Sequence, residues 1–179
     1  MLSFRPSPVT WPVWALICSA AMLAAAHAFE RFGNFLPCPL CLRQREVYWA
    51  AISVAIVSLV VMRLWPAYRL TIAFNLILGL VFLTGAVIAG YHTGVEWGWW
   101  QGPADCSGAP GDALSGSLSQ IDFDKRYATV SCSDAAWRMF GISMAGYNTL
   151  VSLALAGLSS FFAISALQSA PTPDESFDV

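Results

Sequence analysis

Charged side chains are scarce in this sequence. Asp, Glu, Lys and Arg make up 11% of its 179 residues, where soluble domains carry about 25%. Hydrophobic residues make up 57%, and that balance excludes an ordinary soluble domain. Basic tracts are also missing and the formal net charge is −2, which argues against nucleic acid as a partner. No internal repeat is present. Four long segments contain no Asp, Glu, Lys or Arg at all: Trp11–Phe29, Val47–Met62, Leu70–Tyr91 and Gly141–Leu167.

A helix crosses the hydrocarbon core of a bilayer with about 20 apolar residues, in a range of about 17–25. Three segments reach that length. The second reaches it once Leu42 and Leu64 extend it and the flanking arginines snorkel. Backbone groups in lipid must be satisfied within the segment, so helices are predicted; barrel strands are about half as long and alternate. The sequence therefore predicts an all-α integral membrane four-helix bundle, a single membrane domain over 1–179. Its helices fall at about 11–29, 44–63, 70–91 and 141–167. Connecting loops fall at about 30–43 and 92–140, the second long and rich in Gly, Ser and Asp. The tail at 168–179, with Pro171, Pro173, Asp174, Glu175 and Asp178, is predicted to be disordered. Arg5, the first apolar run and Ala26-His27-Ala28 imitate a signal peptide. The run is longer than a signal core, and Trp11 and Pro12 open it like an interfacial anchor, so it is read as a span. Gly79, Gly85, Ala86 and Gly90 in the third segment suit close helix packing, as do Gly146, Ala154 and Gly157 in the fourth.

Five cysteines are present. Cys18 falls mid-membrane and reads as a small packed residue. Cys38 and Cys41 form a CxxC at the mouth of the second helix, while Cys106 and Cys132 lie in the long loop. Helices alternate direction, so both loops lie on one face of the membrane and all four cysteines share a compartment. Two thiol pairs on one face can exchange disulfides. Haem attachment requires a histidine after the CxxC, where Leu42 stands. A zinc site made from all four sulfurs lacks the second CxxC that zinc motifs carry. A purely structural pair of disulfides is the stronger competitor, but a CxxC ring suits redox cycling better than stapling.

The spacing around the CxxC fits thiol chemistry. Pro39 suits the first position of a helix, so the second helix would open near Cys38 and Cys41. The positive end of a helix favours the thiolate, which is the reactive form. Arg45 lies four residues after Cys41 on the same face, where its guanidinium can favour the thiolate and hold a ligand oxygen. Arg43 and Gln44 fall away from that face, and Arg43 reads as a headgroup contact. His92, at the end of the third helix, lies on the CxxC side and can give a hydrogen bond or a proton to a ligand there. His27 reads as packing. Val95-Glu96-Trp97-Gly98-Trp99-Trp100 reads as an interfacial anchor that keeps Cys106 near the CxxC.

These residues resemble the DsbB family, bacterial membrane proteins that reoxidise the periplasmic thiol oxidase DsbA. The resemblance rests on Pro37-Cys38-Pro39-Leu40-Cys41 with Arg45 four residues on, two cysteines in the second external loop, His92, and Trp137, Gly141 and Met144 after Cys132. It covers most of the chain. It implies that a DsbA-like thioredoxin-fold periplasmic protein attacks a Cys106–Cys132 disulfide through Cys106, and that this pair exchanges with Cys38–Cys41. Cys41, beside Arg45, would then reduce a membrane quinone, ubiquinone or menaquinone, in a pocket that His92, Met144 and Gln44 help line. DsbA lies near about −120 mV, so its oxidation needs a strong final acceptor, and a quinone is one. Gln44 departs from the family, where an acidic residue often precedes the arginine; that position would tune quinone affinity.

Orientation sets two arguments against each other. Arg5, Arg63 and Arg69 flank the face that holds both termini, and Arg31, Arg43, Arg45, Lys125, Arg126 and Arg138 flank the other. The positive-inside rule would put the second group in the cytoplasm. Disulfides persist outside the cytoplasm, and this weighs more: a bacterial inner-membrane protein is expected, with cytoplasmic termini and periplasmic cysteine loops. Two other readings compete. A disulfide-stapled scaffold or transport subunit would carry ionisable residues inside its helices, and His27 alone does. In a vitamin K epoxide reductase-like enzyme the loop cysteines precede the CxxC, whereas here they follow it.

Overall fold

The computed structural model of the chain describes residues 5–103, 106, 128–129 and 131–169. The architecture is all-α, with four helices: α1 (Trp11–Gly33), α2 (Pro39–Leu64), α3 (Tyr68–Glu96) and α4 (Met144–Gln168). Each is long and apolar enough to cross a membrane. Lys125 and Arg126, and the tail from residue 170 with its expected disorder, lie outside the described residues.

Each helix begins and ends for a local reason. Pro12 stands in the first turn of α1, where its missing N–H costs nothing, and Asn34 closes that helix in the left-handed region at φ 53°. At the start of α2, Pro39 follows Cys38, whose sulfur accepts the Cys41 N–H at 3.2 Å. Ser143 caps α4 by accepting the Gly146 N–H at 3.1 Å. The helices run further than the uncharged segments. α2 opens at Pro39, as that proline leads one to expect, ahead of the apolar span placed at about 44–63, and α3 continues through Glu96, so His92 stands one turn before its end. A helix carries its hydrogen-bond ladder past the apolar stretch into the charged ends.

Small and polar residues share the interior with Leu78, Phe82 and Tyr48, and the outer faces are apolar. Residues 11, 15, 19 and 23 form one buried stripe of α1, spaced four apart. Ser19, Ser58, Asn75, Ser152 and Ser159 are buried, while Val57, Val60, Leu80, Val87, Leu153 and Phe161 are exposed. That arrangement suits lipid, where small and polar residues hold helices together. α3 packs most extensively on α4, then on α2, and α2 on α1. Gly85 sits at the crossing, where an added Cβ would lie 3.0 Å from Val47 and 3.4 Å from Ser152. Gly79 similarly faces Ser159 and Ser160. Ala154 and Gly157 do not take the packing role expected of them. Both are exposed, and nothing lies within 4 Å of a Cβ at Gly157. They fall on the lipid-facing side because α4 turns residues 152, 155, 156 and 159 inward.

α1 and α4 touch sparingly. They meet mainly at one end, where the Trp11 indole donates to Ser159 Oγ at 2.8 Å and stacks near Phe162. Toward the other end they diverge, and the opening between them forms the site. Two small pairings tie the loops there. β1 (Phe35–Leu36) runs parallel to β2 (Ala128–Thr129), three residues before Cys132. β3 (Arg138–Met139) pairs antiparallel with β4 (Ile142–Ser143), turning through Phe140 at φ 51° and Gly141 at φ 80°.

Candidate functional site

The four loop-face cysteines come together as the CxxC spacing and helix count require. Cys106 and Cys132 are joined in a disulfide. Cys38 and Cys41 are free thiols with their Sγ atoms 2.6 Å apart. The N-terminal turn of α2 aims both at one another, since positions i and i+3 share a face. Cys38 and Cys132 are almost fully buried, while Cys106 and Cys41 are part-exposed. Val95 packs against Cys38 and Cys132. The Cys41 sulfur beside it, and then burial, hold the Cys38 thiol well above its ordinary range.

Cys38 Sγ, Cys132 Sγ and a ring nitrogen of His92 lie within 4.8 Å of one another. Cys132 is already bonded to Cys106, so the grouping brings the two cysteine pairs close together with an imidazole beside them. His92 Nε2 is 3.8 Å from Cys38 Sγ.

A cavity of about 270 Å³ opens beside Cys41 between α1 and α4. Its walls are mostly apolar, with Met22, Ala26, Phe29, Trp137, Met139 and Met144 among them. Arg45, His92 and Gln44 contribute polar groups from α2 and α3. All eight candidate residues thus meet: Cys41, Gln44, Arg45, His92 and Met144 line the cavity, Cys38 adjoins it, and Cys132 holds Cys106 against Cys38. Trp137 lies against Phe29 and Tyr147, with centroids 5.6 and 6.2 Å away.

Several details differ from the reading of the sequence. Gln44 turns inward, because the buried face of α2 runs through residues 44, 47, 48, 51 and 55. Arg45 does not snorkel. Its Nη1 donates to Glu30 Oε2 at 2.5 Å and its Nη2 to the Ala26 carbonyl at 3.3 Å. Arg43 pairs with Glu46 on the exposed side. His27 is exposed and bonds the Leu23 carbonyl, away from the cavity. Cys18, by contrast, packs against the core of the bundle as its reading as a small packed residue expects. The aromatic segment after α3 splits: Trp97, Trp99 and Trp100 are exposed, but Val95 is buried and Glu96 faces the cavity.

Four residues at the site were not singled out by the sequence. Glu30 holds Arg45. Tyr48 donates to Asn148 Oδ1, and Asn148 Nδ2 donates to Gln44 Oε1. Gln44 Nε2 in turn lies 2.9 Å from His92 Nδ1. Glu96 lies four residues after His92 on the same face, with its Oε1 3.9 Å from His92 Nε2. That i,i+4 spacing was the available signal. Glu30, Tyr48 and Asn148 carry none, since only the rotation of separate helices brings them together.

Comparison with known proteins places these features in a family. The family described as disulfide bond formation protein DsbB matches residues 8–162. A disulfide bond formation protein B of Methylococcus capsulatus is 29% identical over 169 residues, 86% of this chain and 93% of that protein. One of Nitrosomonas europaea is 26% identical over 152 residues, 80% of this chain and 87% of that protein. An uncharacterised protein of Rickettsia prowazekii is 29% identical over 141 residues, covering 76% of this chain and 77% of that one. No solved structure matches the chain significantly.

Proposed function

The chain belongs to the DsbB family of membrane disulfide bond formation proteins, and from that premise we propose that it reoxidises a periplasmic DsbA-like dithiol and passes the electrons to a membrane quinone. The single observation that carries the reading is the apolar cavity beside Cys41, adjoining two cysteine pairs in contact.

The proposed route balances at each exchange. A partner thiolate attacks Cys106, the more accessible sulfur of its disulfide, and Cys132 leaves as thiolate. Cys132 attacks Cys38 of an oxidised Cys38–Cys41 pair, and Cys41 leaves as thiolate. The partner's second thiol then resolves the mixed disulfide, releasing Cys106. Cys106 attacks Cys132, frees Cys38 and restores its own disulfide. The net result is an oxidised partner and a reduced Cys38–Cys41 dithiol. The 4.8 Å grouping of Cys38 and Cys132 supports the middle exchange.

The cavity fits a quinone head: flat apolar walls from Phe29, Trp137 and Met144, and donors at Arg45 and His92. A bound quinone supplies an acceptor for two electrons and two protons as the Cys38–Cys41 disulfide re-forms. Arg45, fixed by Glu30, would hold an oxygen of the head and favour negative charge on Cys41. The cysteine loops face the periplasm in this reading, because the disulfide belongs in an oxidising compartment.

Purified protein mixed with a reduced DsbA-type protein and ubiquinone tests the reading through quinone absorbance. Turnover is expected from the intact protein and none from Cys41→Ser; full turnover in that variant overturns the assigned electron route.

A further inference from the structure

The Cys38–Cys41 dithiol must lose two protons with its two electrons, so the site needs a proton acceptor. The ionisable groups around the cavity are few. Glu30 and Arg45 neutralise one another across it. Asp134 stands at its loop side. Glu96 remains. Its side chain is 5% exposed, and Oε2 is buried with no hydrogen-bond partner. Among the described residues no Lys or Arg forms an ion pair with it. A buried carboxyl oxygen left unpartnered is costly and calls for a reason.

His92 is the obvious rival for the proton, but its hydrogen bonds argue otherwise. Asn148 Nδ2 donates to Gln44 Oε1, so Gln44 presents its amide N–H to His92 Nδ1 at 2.9 Å. Nδ1 therefore accepts, and the neutral ring carries its proton on Nε2. That N–H faces Cys38 Sγ at 3.8 Å and Glu96 Oε1 at 3.9 Å. With Nε2 protonated and Nδ1 engaged, the imidazole is a donor on the sulfur side. The base there is the carboxylate.

We propose that Glu96 is the proton-accepting group of this site, its Oε1 facing the Nε2–H of His92 at 3.9 Å, with Gln44 fixing the tautomer. As the Cys38–Cys41 bond forms, one thiol proton passes to the Glu96 carboxylate and from there to the occupant of the cavity. The other leaves from Cys41, which lines the cavity directly. The dithiol loses two electrons and two protons, the quinone gains both, and Glu96 returns to its starting state. The groups facing Glu96 are His92 on its own helix, Cys41 at the start of α2, and Arg138 and Ser143 before α4. This proposal rests on the quinone reading above.

Infrared difference spectroscopy on the quinone-free, full-length protein tests it without turnover. Reduction of the Cys38–Cys41 pair should change the protonated-carboxyl band, and the change should vanish in Glu96→Gln but persist in Asp134→Asn. In quinone turnover, Glu96→Gln should be slower by about tenfold or more and lose the fall in rate at acidic pH, with Glu96→Asp restoring that limb. An absent carboxyl signal, one that survives Glu96→Gln, or wild-type rate and pH profile in that variant each overturns the proposal. Failure of the wild type itself to reduce quinone would instead overturn the quinone reading.

Discussion

Arg45 has two partners in place before any ligand arrives, Glu30 Oε2 and the Ala26 carbonyl. A guanidinium fixed this way loses little freedom on binding an oxygen. Arg45→Met is expected to raise the apparent KM for quinone about tenfold or more, the worth of a charge-assisted hydrogen bond; steady-state rates at varied quinone check this. Glu30→Gln, which loosens the same group, should give a smaller rise. Cys38 offers a second residue-scale test. Its thiol is held protonated above its ordinary range, first by the Cys41 sulfur. Removing that sulfur in Cys41→Ala should let Cys38 ionise at lower pH, so its alkylation by iodoacetamide should begin at lower pH than in the reduced wild type. The CxxC, Arg45 and His92 were placed on one side by short spacing and helical phase, while Met144 came only from the family resemblance. The inward turn of Gln44 was not, since its direction depends on which face of α2 meets α3 and α4. Asn148 lies 104 residues from Gln44, and nothing local announces their contact.

The uncharged segments located all four helices at the level of elements, but they stopped at the first charged residue. The helices extend through Arg31, through Arg43 and Arg45, and to Glu96, and those overhangs are where the chemistry is proposed to stand. The small residues of α3 and α4 were read as one class, yet only their phase decides their role. A Cβ at Gly85 would press on Val47 at 3.0 Å, while one at Gly157 would meet nothing. Gly85→Leu should therefore destabilise the bundle by about 1–3 kcal/mol through overpacking, and Gly157→Leu should be close to neutral. Thermal unfolding of both variants in detergent, followed by circular dichroism, distinguishes them; equal melting temperatures would contradict the assigned faces. The parallel pairing of β1 with β2 tethers the second loop to the first just before Cys38 and Cys132. Sequence offered no sign of it, because two-residue strands have no periodicity to read.

Four antiparallel spans put both cysteine loops on one face of the whole molecule, and the joined loops agree with that arrangement. That face is proposed to lie in the periplasm, where a disulfide persists. A membrane-impermeant thiol reagent added to intact spheroplasts should label reduced Cys106; labelling only after the membrane is opened would reverse the orientation. The central claim is that electrons enter at Cys106 and leave beside Cys41. Its most direct measurement is the stoichiometry of quinone reduction against partner oxidation in the purified protein. The account predicts one quinone reduced for each partner disulfide formed, and none in Cys41→Ser. Partner oxidation without quinone loss, or quinone loss that survives Cys41→Ser, would contradict it.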